Sequence, residues 1–435
     1  MLKSCVLRNG MKVLFVPNER SIAFAMSVFV VAGARRDPKG KEGLAHCVEH
    51  MALKRTRKFC GDNALSVALG TIGAQYNAYT THEVTAFSIR SGILKTEECI
   101  KILGEVVRRP LFTEEDFQKE RSVILDEVVQ YENDTESVVV EALDRFFFAG
   151  HELANPTVGT KASLSNITLA DVSAWHGMYY VPSNISIAVS CSVEKRMEVC
   201  SWIEKYFIHE EDGVTALSAP AFSPAVFEWS EKKDNHIVIP DKDDEGILRI
   251  AFPGIPYKHD RGVVMWVLAN VFGGSECSVL VRRLQHQLGL TYSVLCFPYS
   301  YHDCGMFIIH TQASHDKIYD VYAETFSLIR GFERACTAED IEIAKQITLS
   351  NLYLMMDSNS MKITNFYGLN ALYGVELPLH SFICAISSVT AEEVYALARD
   401  IFSRQPAVAV MGPFEPVKTK RRLHSINKKA TGGAS

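Results

Sequence analysis

At 435 residues the chain is too long for one ordinary hydrophobic core, and it predicts two or more domains of roughly 100–200 residues each. It is 47% hydrophobic and 22% charged, the composition of a soluble globular protein, and a net charge of −6 gives no reason to expect nucleic acid or an anionic membrane as partner. No apolar run reaches the roughly 18 residues of a membrane-spanning helix, and the eleven scattered cysteines without a C-x-x-C pair predict reduced thiols and a cytoplasmic location.

Residues 6–16 predict two short strands about the Asn9-Gly10 turn, and the valine-rich run 24–31 a buried strand. Gly43-Leu44-Ala45-His46-Cys47-Val48-Glu49-His50-Met51 reads as a helix, because Leu44, Cys47, Val48 and Met51 recur on one apolar face. Asp62 is expected to cap a second helix through Ala64, Val67, Ala68 and Ile72 that Gly73 stops. Residues 74–89, aromatic and β-branched in both arms, predict a hairpin. Thr96 opens a helix through Ile100, Leu103 and Val107 that ends before Pro110. Thr113-Glu114-Glu115-Asp116 then caps a long helix with Phe117, Ile124, Val128 and Tyr131 as its buried stripe. A helix over 137–148 and a strand over 185–189 follow.

Glu210-Glu211-Asp212-Gly213 and the Ala/Ser/Pro-rich stretch 216–225 read as part of a linker over 209–233, between blocks 1–208 and 234–435. The second block looks like a worn copy of the first. Ile167-Thr168-Leu169-Ala170-Asp171-Val172 matches Val389-Thr390-Ala391-Glu392-Glu393-Val394 at an offset of 222. Thr113-Glu114-Glu115-Asp116 matches Thr337-Ala338-Glu339-Asp340 at 224. At these offsets Glu120 and Glu127 fall on Ala344 and Asn351, and the histidine helix falls on residues 268–273, which carry no His or carboxylate. Metal chemistry is therefore expected in the first block alone. The basic tail, Lys418-Thr419-Lys420-Arg421-Arg422 with Lys428-Lys429, reads as a solvated terminus.

His46 and His50 are i and i+4, so both imidazoles project from one side of the helix and can share a metal ion. Glu49 lies beside them, within reach of a water at the metal. The order H-x-x-E-H is the inverzincin signature. Glu120 and Glu127, two turns apart on the long helix, share one face. Taken alone such a pair is most often a solvated surface, but beside the histidine pair Glu127 is the candidate third ligand.

These residues resemble the M16, or pitrilysin, family of zinc metallopeptidases. The resemblance spans nearly the whole chain, in two repeats, and is closest to the short subfamily that works as a dimer, as mitochondrial processing peptidases do. The family's motif is H-x-x-E-H with a glutamate ligand further on. Here His46-Cys47-Val48-Glu49-His50 is followed by Glu127, 77 positions after His50. The resemblance implies an α+β fold of two tandem homologous α/β-sandwich repeats, each a mainly antiparallel sheet packed with helices. It implies Zn²⁺ held by His46, His50 and Glu127. Glu49 is then the catalytic base, and Glu120 an acidic group that supports the site. Asn77-Ala78-Tyr79-Thr80 is similar to the family's substrate-binding edge strand, which gives Asn77 and Ala78 to a bound peptide or precursor. Tyr292, in Leu288-Gly289-Leu290-Thr291-Tyr292-Ser293, matches a tyrosine that donates to the tetrahedral oxyanion. Seven residues earlier the family has an Arg where this chain has Gln285, which keeps a donor but loses the charge and the fork geometry. Arg282, one turn earlier, is a candidate substitute, as is a cation from another subunit. The expected activity is endopeptidase hydrolysis in a closed chamber of two chains. A homodimer, the catalytic half of a heterodimer with a paralogue, and a non-catalytic structural subunit are the three forms the resemblance allows.

Overall fold

The structure, a computed structural model, describes residues 2–18, 22–209, 227–229, 231, 234–357 and 360–431. All but residue 209, 227–229 and 231 of the expected linker 209–233 lie outside the described residues. The chain divides into two compact units. One comprises Met1–Asn133, Asn155–Ser223 and Met355–Pro378; the other comprises Asp134–Ala154, Pro224–Leu354 and Leu379–Ser435.

The first unit is built on a sheet of β1 (Lys3–Val6), β2 (Lys12–Pro17), β3 (Ala23–Val30), β4 (Gln75–Thr80), β5 (Thr85–Gly92) and β6 (Ile185–Cys191). Their order is β1-β2-β6-β3-β5-β4, and only β2 and β6 run parallel. The turn between β1 and β2 uses Gly10 at φ 95, as the Asn-Gly pair requires. The β3 run is apolar at nearly every position because both faces are covered. Met26, Val28 and Val30 join the core that holds helices α1 (Leu44–Ala52), α2 (Ala64–Thr71), α3 (Thr96–Arg108) and α4 (Glu114–Asn133). Phe29 faces the helix Ser360–Leu372, and Ser27 on that face donates to Asn365 Oδ1 at 2.5 Å. That helix comes from the second half of the sequence.

In the second unit, β7 (His236–Pro240), β8 (Glu245–Pro253), β9 (Ser293–Ser300), β10 (Gly305–Ser314) and β11 (Ala407–Gly412) form a sheet of order β7-β11-β8-β10-β9. This repeats β2-β6-β3-β5-β4 strand for strand, including the single parallel pair. Lys12 pairs with Ser186 and His236 with Val408, positions 224 and 222 residues on. The matched segments seen in sequence are both capping boxes: Thr168 with Asp171 opens the helix Leu169–Tyr179, and Thr390 with Glu393 opens Ala391–Phe402. Helix α5 (Thr135–Phe147) belongs to this unit, where Val139, Leu143 and Phe147 pack on β8 and β11 side chains. The sequence repeats and the compact units are thus different partitions of one chain. Each sheet is covered on one face by a helix from the other half of the sequence. No single helix among the described residues is long and apolar enough to cross a membrane.

Two local expectations differ. Asn63, at φ 56, rather than Asp62, precedes α2, because the Arg55 guanidinium holds the Asp62 carboxylate at 2.6 Å. Tyr131 is exposed, lying one turn past Val128, the last buried residue of α4.

Candidate metal centre

Helix α1 is fixed before its chemistry begins. Leu44, Cys47, Val48 and Met51 are buried in the core of the first unit. Gly43, at φ 92, precedes the helix and lies against Gly159, at φ 80, so closely that a Cβ on Gly43 would fall 2.8 Å from the Gly159 Cα. Only glycine combines that backbone with that approach. Asp37 is buried beneath the helix start, where its carboxylate accepts from the N–H groups of Gly43 at 2.7 Å and Ala45 at 2.9 Å. Burial pushes its carboxyl up to about 8, against the pull of those donors.

Helix α4 crosses beside α1. Thr113 caps it, accepting from the Asp116 N–H at 3.2 Å, and Asp116 is in turn held by Arg55 Nε at 2.6 Å. Phe117, Ile124 and Val128 are buried, which turns Glu120 and Glu127 toward α1.

The donor atoms of His46, His50 and Glu127 converge. Nε2 of His50 is 3.2 Å from Nε2 of His46, and Glu127 Oε2 is 3.7 Å from His46 Nε2 and 3.5 Å from His50 Nε2. A tetrahedral zinc with bonds of about 2.1 Å requires donor separations of about 3.4 Å. Two ring nitrogens facing each other at that distance, with a carboxylate oxygen completing the triangle, are a donor set built for a cation. The residues fit Zn²⁺, and no other described group of three donors is so tightly drawn.

The surrounding groups orient these ligands. Glu120, 4% exposed, takes His50 Nδ1 at 3.2 Å, and its other oxygen takes Lys54 Nζ at 2.7 Å. Glu120 therefore acts on the site through His50. Burial lowers the His50 imidazole, but hydrogen bonds to Glu120 and Glu127 outweigh it and raise it to about 9. Burial and the neighbouring His50 push His46 down to about 4. The hydrogen bond to His50 holds Glu127 below the usual carboxylate range.

Glu49 is buried, and burial raises its pKa while Thr80 opposes the rise. Thr80 Oγ1 donates to Glu49 Oε2 at 2.6 Å. Thr80 ends β4, the edge strand of the sheet, so the strand that carries Asn77 and Ala78 is anchored beside Glu49. Strand alternation puts Ala78 on the α1 face with Thr80, and turns the Asn77 side chain to the opposite face. A cavity of about 530 Å³ opens here, with Glu49, His50, Tyr76, Ala78 and Glu120 in its wall.

In the second unit, Gln285 lies in a short π-helical segment, Arg282–Gln287, and its amide donates to the Tyr292 carbonyl at 2.6 Å. Tyr292 is 67% exposed. Arg282, the candidate substitute for the missing arginine, is ion-paired with Asp340, the residue that closes the cap of the helix Ala338–Met356. Its guanidinium is committed there.

Sequence reasoning gave three residues no role at this site. Thr80 was legible as the residue two beyond Ala78 on the same strand face, and Lys54 as i+4 from His50. Asp37 caps α1 from outside any local capping pattern and left no signal.

Residues 12–161 match the family model described as Insulinase (Peptidase family M16), and residues 166–348 match the Peptidase M16 inactive domain. An uncharacterized zinc protease of Rickettsia bellii is 26% identical over 408 residues, covering 94% of this chain and 96% of that protein. A probable mitochondrial-processing peptidase subunit beta of Arabidopsis thaliana is 27% identical over 435 residues, covering 96% of this chain and 80% of that protein. Among solved structures, a protease from Helicobacter pylori superposes with a TM-score of 0.85 at 18% identity, covering 95% of this chain and 99% of that one. At that identity the likeness speaks for the fold.

Proposed function

The chain belongs to peptidase family M16, and from that premise we propose that it is a zinc-dependent endopeptidase acting on peptides or unfolded precursor segments in a chamber formed by two chains. The observation that carries this reading is the near-tetrahedral spacing of His46, His50 and Glu127 beside a buried Glu49. Zinc, when bound, supplies a Lewis acid that polarises the scissile carbonyl and acidifies water. Glu49 takes the proton of the attacking water on its carboxylate and returns it to the leaving amine. Thr80 holds Glu49 Oε2, which leaves Oε1 to carry that proton. Glu120 fixes the His50 ring through Nδ1. The free edge of β4 takes an extended peptide as an added strand along the Asn77-Ala78 segment, where alternate residues turn their backbone N–H and C=O outward. Incubating the purified chain with a mixed peptide library, with and without a chelator, tests the reading by mass spectrometry. Chelator-sensitive internal cleavage that is lost in Glu49→Gln is the expected result.

Gln285 favours one further reading, in which this chain is the catalytic half of a heteropeptidase. The family's arginine is missing, Arg282 is tied to Asp340, and a relative is named as a subunit. A pure chain that cleaves at full rate removes this reading. A pure chain that cleaves only when a paralogous partner is added supports it.

A further inference from the structure

A second group of donors lies in the second unit, where the chain enters β7. Asp234, His236 and His424 each offer an atom within 4.8 Å of the other two. Asp234 stands two residues before His236, the first residue of β7, and its Oδ1 accepts from the His236 backbone N–H at 3.1 Å. His424 comes from the helix Pro416–Thr431, and the two imidazole rings are 4.7 Å apart between centroids.

Each ring has one nitrogen occupied and one left over. His236 Nε2 is 2.9 Å from the Tyr322 hydroxyl, while its Nδ1 is buried with no hydrogen-bond partner and lies 3.9 Å from Asp234 Oδ1. His236 is 1% exposed, so bulk solvent does not reach that nitrogen. His424 Nδ1 is 2.8 Å from the Lys420 carbonyl and must donate to it, which leaves the Nε2 lone pair. In the tautomer whose Nε2–H donates to Tyr322, the Nδ1 of His236 presents its lone pair on the side of Asp234. Metal-ligating histidines are fixed in this way, by a hydrogen bond from the nitrogen that does not bind. Leaving a buried polar atom unpaired is unfavourable, and a bound cation would relieve it.

We propose that Asp234, His236 and His424 form a second metal site, separate from the M16 centre, which takes Zn²⁺ or a similar first-row divalent ion. Two imidazoles and one carboxylate suit such an ion and not Ca²⁺ or Mg²⁺, which take oxygen donors. Asp234 is exposed and leaves the remaining coordination open to water. Lys420 Nζ lies 2.7 Å from Asp234 Oδ2, so an ammonium competes for that carboxylate and makes this the weaker of the two sites. The ion would tie the helix Pro416–Thr431 to β7. The corresponding positions of the first repeat are Gly10, Lys12 and Trp202, so the site belongs to the second repeat alone.

The test is a zinc titration of the untagged, metal-stripped full chain, read by calorimetry and elemental analysis. The wild type is expected to bind two equivalents with separable affinities. His46→Ala/His50→Ala is expected to retain one, and His424→Ala to retain one together with peptidase activity. Should the double variant fail to fold, Asp234→Asn and His424→Ala in the otherwise wild-type chain carry the test. Each should remove the weaker equivalent and lower the zinc-dependent gain in Tm. A wild type that saturates at one equivalent, or a weaker equivalent that survives both His424→Ala and Asp234→Asn, overturns the proposal.

Discussion

Thr80 Oγ1 donates to Glu49 Oε2 at 2.6 Å, which joins the edge strand β4 to the carboxylate expected to move the proton. The bond favours the ionised carboxylate and opposes the rise that burial imposes. Removing it in Thr80→Val therefore raises the Glu49 pKa further. The base must be ionised to act, so the acid limb of kcat/KM against pH moves to higher pH. Activity on the acid side of the profile should therefore fall most, and the loss should shrink as pH rises. Zinc content should stay at the wild-type value. An unmoved acid limb would remove Thr80 from the mechanism.

Binding and proton transfer separate by substitution. Glu49→Gln should retain zinc and lose turnover, since Glu49 contributes no donor atom to the converging triad. Glu127→Gln should weaken zinc itself. Glu120→Gln leaves all three donors in place and disturbs only the ring of His50, for which a loss of about 10–100-fold in zinc affinity is expected. Zinc-affinity measurement and single-turnover cleavage on the same three variants check the assignment. Turnover by Glu49→Gln above a few per cent of wild type would show the base to be elsewhere.

The metal-free site stores one proton. His50 is raised to about 9 and His46 lowered to about 4, so between these values one ring is charged and the other neutral. Zinc requires both rings neutral. Binding at pH 7 should therefore release about one proton per ion, with apparent affinity rising about tenfold per pH unit up to about 8. In the metal-free chain, the raised His50 contributes stability that is fully present below its unfolded value near 6.5 and is lost as pH rises through about 9. Calorimetry in two buffers of different ionisation heat measures the release. Heats independent of buffer would contradict it.

The metal helix was legible because two periodicities coincide in it. Leu44, Cys47, Val48 and Met51 orient the helix toward the core, and His46 and His50 then share the free side. The repeat was legible through its caps, Thr168 with Asp171 and Thr390 with Glu393, because a capping box is a local pattern. The exchange of covering helices was not. Val139, Leu143 and Phe147 mark a buried face on α5, but amphipathicity does not say which sheet the face meets. Asp37 was hidden for the same reason: its partners Gly43 and Ala45 are chosen by the path of the chain and not by spacing. Arg282 is ion-paired with Asp340, a contact that its spacing from Tyr292 does not reveal.

The last prediction concerns how α1 is held. Gly159, at φ 80, has the Glu42 carbonyl oxygen 2.4 Å from where a Cβ would stand. Gly159→Ala therefore meets two costs, a left-handed backbone of about 1–2 kcal/mol and a clash with backbone that has no flexible end to yield. Gly150, at φ 86 with nothing within 4 Å, meets the first cost alone. Gly150→Ala should lower stability by about 1 kcal/mol and leave zinc affinity unchanged. Gly159→Ala should lower it by about 3 kcal/mol or more. Glu42 directly precedes Gly43, so relief of the clash must move the start of α1 and with it His46 and His50. Zinc affinity should then fall together with stability in Gly159→Ala and not in Gly150→Ala. Denaturant melts and zinc titrations of both variants measure the pair. Equal losses of stability, or an unchanged zinc affinity in Gly159→Ala, would show that the approach of Gly159 does not position the metal helix.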